Sequence, residues 1–132
     1  MKQTPKTKPK EDRKEWIGHI CIPHSKDDDA NTLLASDQWD RHLDVLSVSQ
    51  LLWDSLERYG LWNALNLRCG LLIDQYEEEW LEPVALEAAR DVVEACRGEL
   101  LTTTPALTGF LDNLLILIAT AEERNVAVIF AF

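Results

Sequence analysis

Apolar residues recur along this chain at two spacings, and each spacing predicts a different element. Apolar positions at helical spacing predict a helix over residues 37–59, and further helices begin at Pro83 and Pro105, because proline is favoured at the first position of a helix. Three short runs, two of them rich in β-branched residues, predict strands: residues 16–22, 67–74 and 126–132. The predicted order is β-α-(α)-β-α-α-β.

Some boundaries stay open at this level. Residues 37–59 form either one helix or two with a bend near Ser47, which begins a capping-box pattern with Gln50. Residues 61–66 fit a short helix or a connection, and residues 75–82 fit a loop or a single turn.

These elements predict an α+β fold: a small three-stranded sheet packed on a layer of about four helices. The last strand is apolar throughout, so we expect it in the centre of the sheet. The alternative is an all-α protein, in which residues 83–132 form three helices. Residues 16–132 are expected to be a single domain, preceded by a flexible basic arm at residues 1–15.

The charge is strongly negative and unevenly distributed. The formal net charge is −10; residues 1–15 carry six basic and three acidic side chains, whereas the remaining 117 residues carry 7 and 20. Such an acidic body repels phosphate backbones, which argues against nucleic-acid binding, and attracts a basic protein surface. The alternative is that the charge only keeps the protein soluble.

The compartment is predicted from what the sequence lacks. The three cysteines, Cys21, Cys69 and Cys96, have no disulfide or zinc-knuckle spacing, which favours a reducing environment. No apolar signal follows the basic N-terminus, and the longest apolar run, residues 114–119, is short for a membrane span. We therefore expect a cytoplasmic protein with no membrane contact.

One spacing is compatible with a metal. His19, Cys21 and His24 read H-x-C-x-x-H, and zinc prefers imidazole and thiolate together. A tetrahedral site needs a fourth ligand, and Cys69 or Cys96 would have to come from elsewhere in the chain, so we predict no metal and no cofactor. A small-ligand or metal-binding domain is nevertheless kept as the third functional hypothesis.

Two acidic segments are the candidate partner-binding sites. The first is Asp27, Asp28 and Asp29; the second is Glu77, Glu78 and Glu79, flanked by Tyr76 and Trp80. Aromatic rings supply contact energy at interfaces, and carboxylates supply steering and register. Glu87, Asp91 and Glu94 are further candidates. The alternative for each segment is an ordinary solvated turn.

No catalytic triad and no glycine-rich phosphate loop is present, so we predict that the protein is not an enzyme. A small, acidic, tryptophan-rich chain without catalytic residues resembles bacterial immunity proteins and phage-type inhibitors in its profile. This resemblance implies an acidic module that occludes a basic effector surface. The alternative is a subunit of a homo- or hetero-oligomer, which would bury apolar surface from residues 114–118 and 126–132.

Overall fold

Four antiparallel strands form one sheet in the computed structural model, which describes residues 16–36, 41 and 43–132. The strands are listed here in chain order: β1 (Ile17–Pro23), β2 (Leu43–Ser49), β3 (Glu78–Leu81) and β4 (Val128–Ala131). Their order across the sheet is β2-β1-β4-β3. The predicted α+β class is confirmed, with four strands instead of three, and β4 is central as expected. The predicted basic arm lies outside the described residues.

Among the described residues, five helices accompany the sheet. They are α1 (Ala30–Leu34), α2 (Gln50–Arg58), α3 (Leu61–Cys69), α4 (Leu86–Thr103) and α5 (Thr108–Arg124). Short 3₁₀ turns at Pro83–Ala85 and Pro105–Leu107 lead into α4 and α5, so the two prolines mark helix starts as predicted.

The predicted helix over residues 37–59 is wrong in its central part. Residues 43–49 form β2, which pairs with β1 from Ile17↔Ser49 to Pro23↔Leu43. After β2 a helix begins at Gln50, and its cap is Ser49, whose hydroxyl accepts the Leu52 N–H at 3.2 Å. The start of the predicted helix, residues 37–40 and 42, lies outside the described residues. Pairing with a strand far away in sequence outweighs the local helical spacing of the leucines.

The predicted strand over residues 67–74 is also wrong. Residues 67–69 complete α3, and Gly70 ends it with a φ of 69°. The segment beyond is held by Asn66, whose side chain accepts the Ile73 N–H at 2.7 Å and donates to the Ile73 carbonyl at 3.2 Å. These two bonds satisfy the backbone N–H and C=O of Ile73, which a neighbouring strand would otherwise pair. The missing strand is instead β3, within a segment predicted as a loop or a turn.

The core lies between one face of the sheet and helices α2 to α5. Ile20, Ile22 and Phe130 point into it, together with most of the apolar stripe of α5. The opposite sheet face is also covered in part, because Leu34 of α1 lines a cleft together with Cys21 on that face. Among the described residues, helices α2 to α5 therefore pack on one face of the sheet, and Leu34 of α1 lies over part of the other.

By length and composition alone, helix α5 resembles a membrane-spanning helix. Among the described residues, Pro105–Arg124 is one helical stretch long and apolar enough to cross a membrane. A core helix passes the same test, and here Leu111, Leu114 and Ile118 are buried against the rest of the chain. The cytoplasmic location stays a prediction.

Candidate partner-binding face

The fold brings parts of the two predicted acidic segments together. A groove of about 310 Å³ lies between the loop that precedes α1 and the end of β3. Asp28, Asp29 and Trp80 line it, and so does Glu82, which sequence reasoning did not single out. We call this feature the acidic groove. Lys26 is a basic residue among the described residues that line it.

Within the loop, two of the three aspartates accept hydrogen bonds that hold the local backbone. The Asp29 carboxylate accepts the Thr32 hydroxyl at 2.7 Å and the Thr32 N–H at 3.4 Å, which caps α1. These bonds lower the pKa of Asp29. Asp28 accepts the Ser25 N–H at 3.2 Å. Asp27 is exposed, and its carboxylate makes no ion pair with a described residue.

On β3, Trp80 and Glu78, which were predicted to contact and to steer a partner, are hydrogen-bonded to each other. Leu81 points into the core, so Glu79 shares its face, whereas Glu78 and Trp80 lie on the opposite face of the sheet. The Trp80 indole N–H donates to the Glu78 carboxylate at 2.6 Å. This bond orients the half-buried indole beside the acidic groove.

Tyr76 and Glu77 lie at the other end of β3, away from the groove. Tyr76 has a φ of 66° and is 76% exposed, and its ring centroid is 6.3 Å from that of Trp16. The Glu77 carbonyl accepts the Phe132 N–H at 3.0 Å. The predicted segment 76–80 is therefore not one patch: its start contacts the Trp16 ring, and its end lines the groove.

β3 is an edge strand, and the bond to Phe132 shows which of its backbone groups face outwards. In an antiparallel ladder, alternate residues point their N–H and C=O to the same neighbour. Since Glu77 bonds to the β4 side, Glu79 and Leu81 do so too, and the backbone groups of Glu78 and Trp80 point away from the sheet. No strand among the described residues pairs with this edge.

The ion pairs of basic side chains with carboxylates lie away from β3 and the acidic groove. Among the described residues, the Arg/Lys–carboxylate pairs all involve α5 or its partners: Arg90–Glu122, Arg97–Asp112 and Arg124–Asp44. The carboxylates from Asp74 to Glu82 have no such partner in the part of the chain that the structure describes. Among the described residues, β3 and the acidic groove therefore carry an excess of negative charge, with Lys26 as a basic residue in the groove lining.

The remaining acidic candidates are separate from this region. Glu87, Asp91 and Glu94 lie exposed on α4. Asp91 lines a different groove, of about 390 Å³, together with Arg68 and Glu99.

The possible metal ligands do not converge. No group of three or more His, Cys, Asp or Glu side chains is placed to hold a metal ion within the described residues. His19 and Cys21 line a cleft of about 340 Å³ under Leu34, whereas His24 lies 3.9 Å from Asp44. Burial raises the pKa of the Cys21 thiol to about 12 and lowers the pKa of His19. A protonated thiol is a poor zinc ligand.

Comparison of the chain with protein-family models, with curated proteins and with solved structures gave no match. The functional argument therefore starts from the chain's own residues.

Proposed function

We propose that this protein is an acidic interaction module that binds a basic protein surface, in the manner of an immunity or inhibitor protein. The contact is made through β3 and the acidic groove. The observation that carries the proposal is the coincidence of an unpaired strand edge with carboxylates that have no basic partner among the described residues.

Each part of this region has a role in binding. The carboxylates of Glu77, Glu78 and Glu79 attract a basic surface over several ångströms, which raises the rate of encounter. Trp80, oriented by its bond to Glu78, offers a partly buried ring for contact once the partner has arrived. A partner covered in this way is blocked by occlusion, and no chemistry is required of this chain.

The assembly hypothesis has less support. The apolar segments expected to supply surplus surface are largely used inside the chain: Leu114, Ile118 and residues 126–130 are buried. Ile116 is the exposed member of the first segment, at 64%. A metal-binding role lacks a cluster of ligands among the described residues. That the protein is not an enzyme remains our prediction.

A salt-dependent capture followed by kinetics tests the proposal. The partner is first captured from a lysate of the native host at low salt, released at high salt and purified. We expect the triple variant Glu77→Gln, Glu78→Gln and Glu79→Gln to associate with it roughly tenfold more slowly at low salt. The difference should shrink as salt is added over the range in which binding persists, because the Debye length falls below about 10 Å above 0.1 M salt.

A matched control separates this region from overall charge. The variant Glu87→Gln, Asp91→Asn and Glu94→Gln removes the same formal charge from α4. It should associate nearly as fast as the unmodified chain. Equal slowing by both variants would mean that only net charge matters, and no slowing by the β3 variant would remove β3 from the interface.

A further inference from the structure

We propose that the groove between helices α3 and α4 is a binding site for a basic α-amino acid, with free L-arginine as the ligand that fits it best. The groove has a volume of about 390 Å³, which lies within the range of small-molecule sites. Its described lining residues are different from those of the acidic groove. The inference therefore does not depend on the function proposed above.

The two helices run in opposite directions along this groove, which we call the α3–α4 groove. At one end, the Cys69 thiol of α3 contacts the carbonyl of Ala85, just before α4, with the sulfur and oxygen 4.0 Å apart. At the other end, the hydroxyl of Tyr59, just before α3, is hydrogen-bonded to the hydroxyl of Thr104, just after α4. The end of α3 therefore lies beside the start of α4.

Three charged side chains line the groove, and the antiparallel arrangement decides which of them are neighbours. Arg68 lies near the end of α3 and Asp91 near the start of α4, so these two share one end of the groove. Glu99 lies near the end of α4 and shares the other end with Tyr59. Arg68, Asp91 and Glu99 are exposed, and none makes an ion pair with a described residue.

Between its charged ends the groove has an apolar floor. Val92 and Cys96 are buried there, and the small side chains of Ala64 and Ala95 leave room above them. Burial, with the Glu99 carboxylate as a second cause, raises the pKa of the Cys96 thiol. The thiol therefore stays protonated at neutral pH and contributes apolar surface, along which a chain of methylene groups can pack.

The charges of the groove complement those of arginine in number and in order. The groove carries one positive and two negative side chains, and free arginine carries one negative and two positive groups. At one end, Arg68 donates to the ligand's α-carboxylate, and Asp91 accepts from its α-ammonium group. At the other end, Glu99 accepts from the ligand's guanidinium, which stacks on the Tyr59 ring.

The spacing of the two carboxylates requires a long ligand. Asp91 and Glu99 lie on the same helix, and eight residues of an α-helix span about 12 Å along its axis. An extended arginine spans this distance together with the inward reach of the two acidic side chains, whereas a short amino acid reaches only one end. Lysine has the length but presents a point charge instead of a planar fork, so we expect it to bind less tightly than arginine.

A nuclear magnetic resonance titration of the full-length chain tests the site, with the amides of Ala64 and Ala95 as reporters. At 0.15 M salt, L-arginine should bind with a dissociation constant on the order of 1 mM. Agmatine, which lacks the carboxylate, and L-norvaline, which lacks the guanidinium, should each bind roughly tenfold more weakly. Each leaves the charges at one end of the groove without a partner.

Two variants assign the ends of the ligand. Arg68→Gln should abolish the preference for L-arginine over agmatine but keep the preference over norvaline, and Glu99→Gln should do the reverse. Glu94→Gln is the matched control, because it removes the same charge from an exposed position of α4 outside the described lining. It should keep both preferences. A change of selectivity of this kind is not produced by a general loss of stability.

Several results would overturn the inference. One is the absence of saturable shifts at Ala64 and Ala95 on addition of L-arginine. Another is equal binding of L-arginine, agmatine and norvaline to the unmodified chain. A third is weakening by Glu94→Gln as large as that by Glu99→Gln, which would show attraction by net charge alone. None of these results bears on the capture of a basic partner through β3, so the two proposals fail separately.

Discussion

Gly18 is the residue on which the packing at the start of β1 depends. It lies opposite Val48 on the core face, and a Cβ there would overlap the Phe132 ring and come within 2.8 Å of the Trp16 ring. Phe132 also packs edge-on against Trp53, with ring centroids 5.1 Å apart. The bare backbone at Gly18 is what lets this aromatic cluster close over the end of the sheet.

We predict that Gly18→Ala lowers the free energy of unfolding by roughly 1–3 kcal/mol, because the rings must shift to admit a methyl group. Gly98→Ala is the matched control: nothing lies within 4 Å of a Cβ at this position inside α4. It should raise the free energy of unfolding by about 0.5–1 kcal/mol through helix propensity. Urea unfolding of both variants measures the two effects, and a stable Gly18→Ala variant would contradict the packing described here.

At the scale of elements, α1 shows how a weak helix is held in place. Five residues are too few for a helix to be stable alone. Asp29 caps its first turn through two bonds to Thr32, and Ala30 is buried. The carboxylate predicted to meet a partner is therefore also part of the fold.

We predict that Asp29→Ala lowers the urea midpoint, whereas Asp27→Ala leaves it unchanged, because only Asp29 caps the helix. The pKa of Asp29 is lowered in the folded state, so its contribution is present above its unfolded pKa of about 4 and is lost as the pH falls through the folded pKa. The difference between the unmodified chain and Asp29→Ala should thus be present at pH 7 and shrink below about pH 4. A difference that persists undiminished in acid would contradict the capping role.

The elements that local pattern predicted well are those with strong local signals. Helices α4 and α5 follow proline starts and long apolar stripes, and β1 and β4 are short apolar runs. By contrast, β2 and β3 are edge strands. Their partners β1 and β4 decide that they are extended, and even the nearest paired residues, Pro23 with Leu43 and Leu81 with Val128, are beyond the reach of local spacing.

At the scale of the whole molecule, Arg124 joins segments that are far apart in the chain. Its guanidinium at the end of α5 donates to the Pro23 carbonyl at 3.1 Å and to the Asp44 carboxylate. Arg124 is 101 positions from Pro23 and 80 positions from Asp44 in the sequence. One side chain therefore ties the last helix to both β1 and β2.

We predict that Arg124→Met costs roughly 1–2 kcal/mol of unfolding free energy, since it leaves a carbonyl and a carboxylate without their donor. Arg97→Met, which breaks the part-exposed pair with Asp112 on neighbouring helices, should cost less than about 1 kcal/mol. Thermal or urea unfolding gives both values. Equal costs would show that the bridge to Pro23 contributes nothing beyond a surface ion pair.

The candidate site was predictable only in its parts. Composition marks Asp28, Asp29 and Trp80 as acidic and aromatic positions, and the structure places all three around one groove. Glu82 carries no signal in the sequence that sets it apart from other glutamates. The separation of Tyr76 from the groove follows from β3 being extended, so that its two ends lie apart.

The sequence by itself determined the excess of negative charge and predicted the α+β class and the central position of the last strand, because each follows from counting or from local pattern. Only the tertiary structure decided which segments became the edge strands, which carboxylates were engaged in a cap or an ion pair and which backbone groups stayed open. Those outcomes depend on partners far apart in the chain, and local spacing carries no information about such partners.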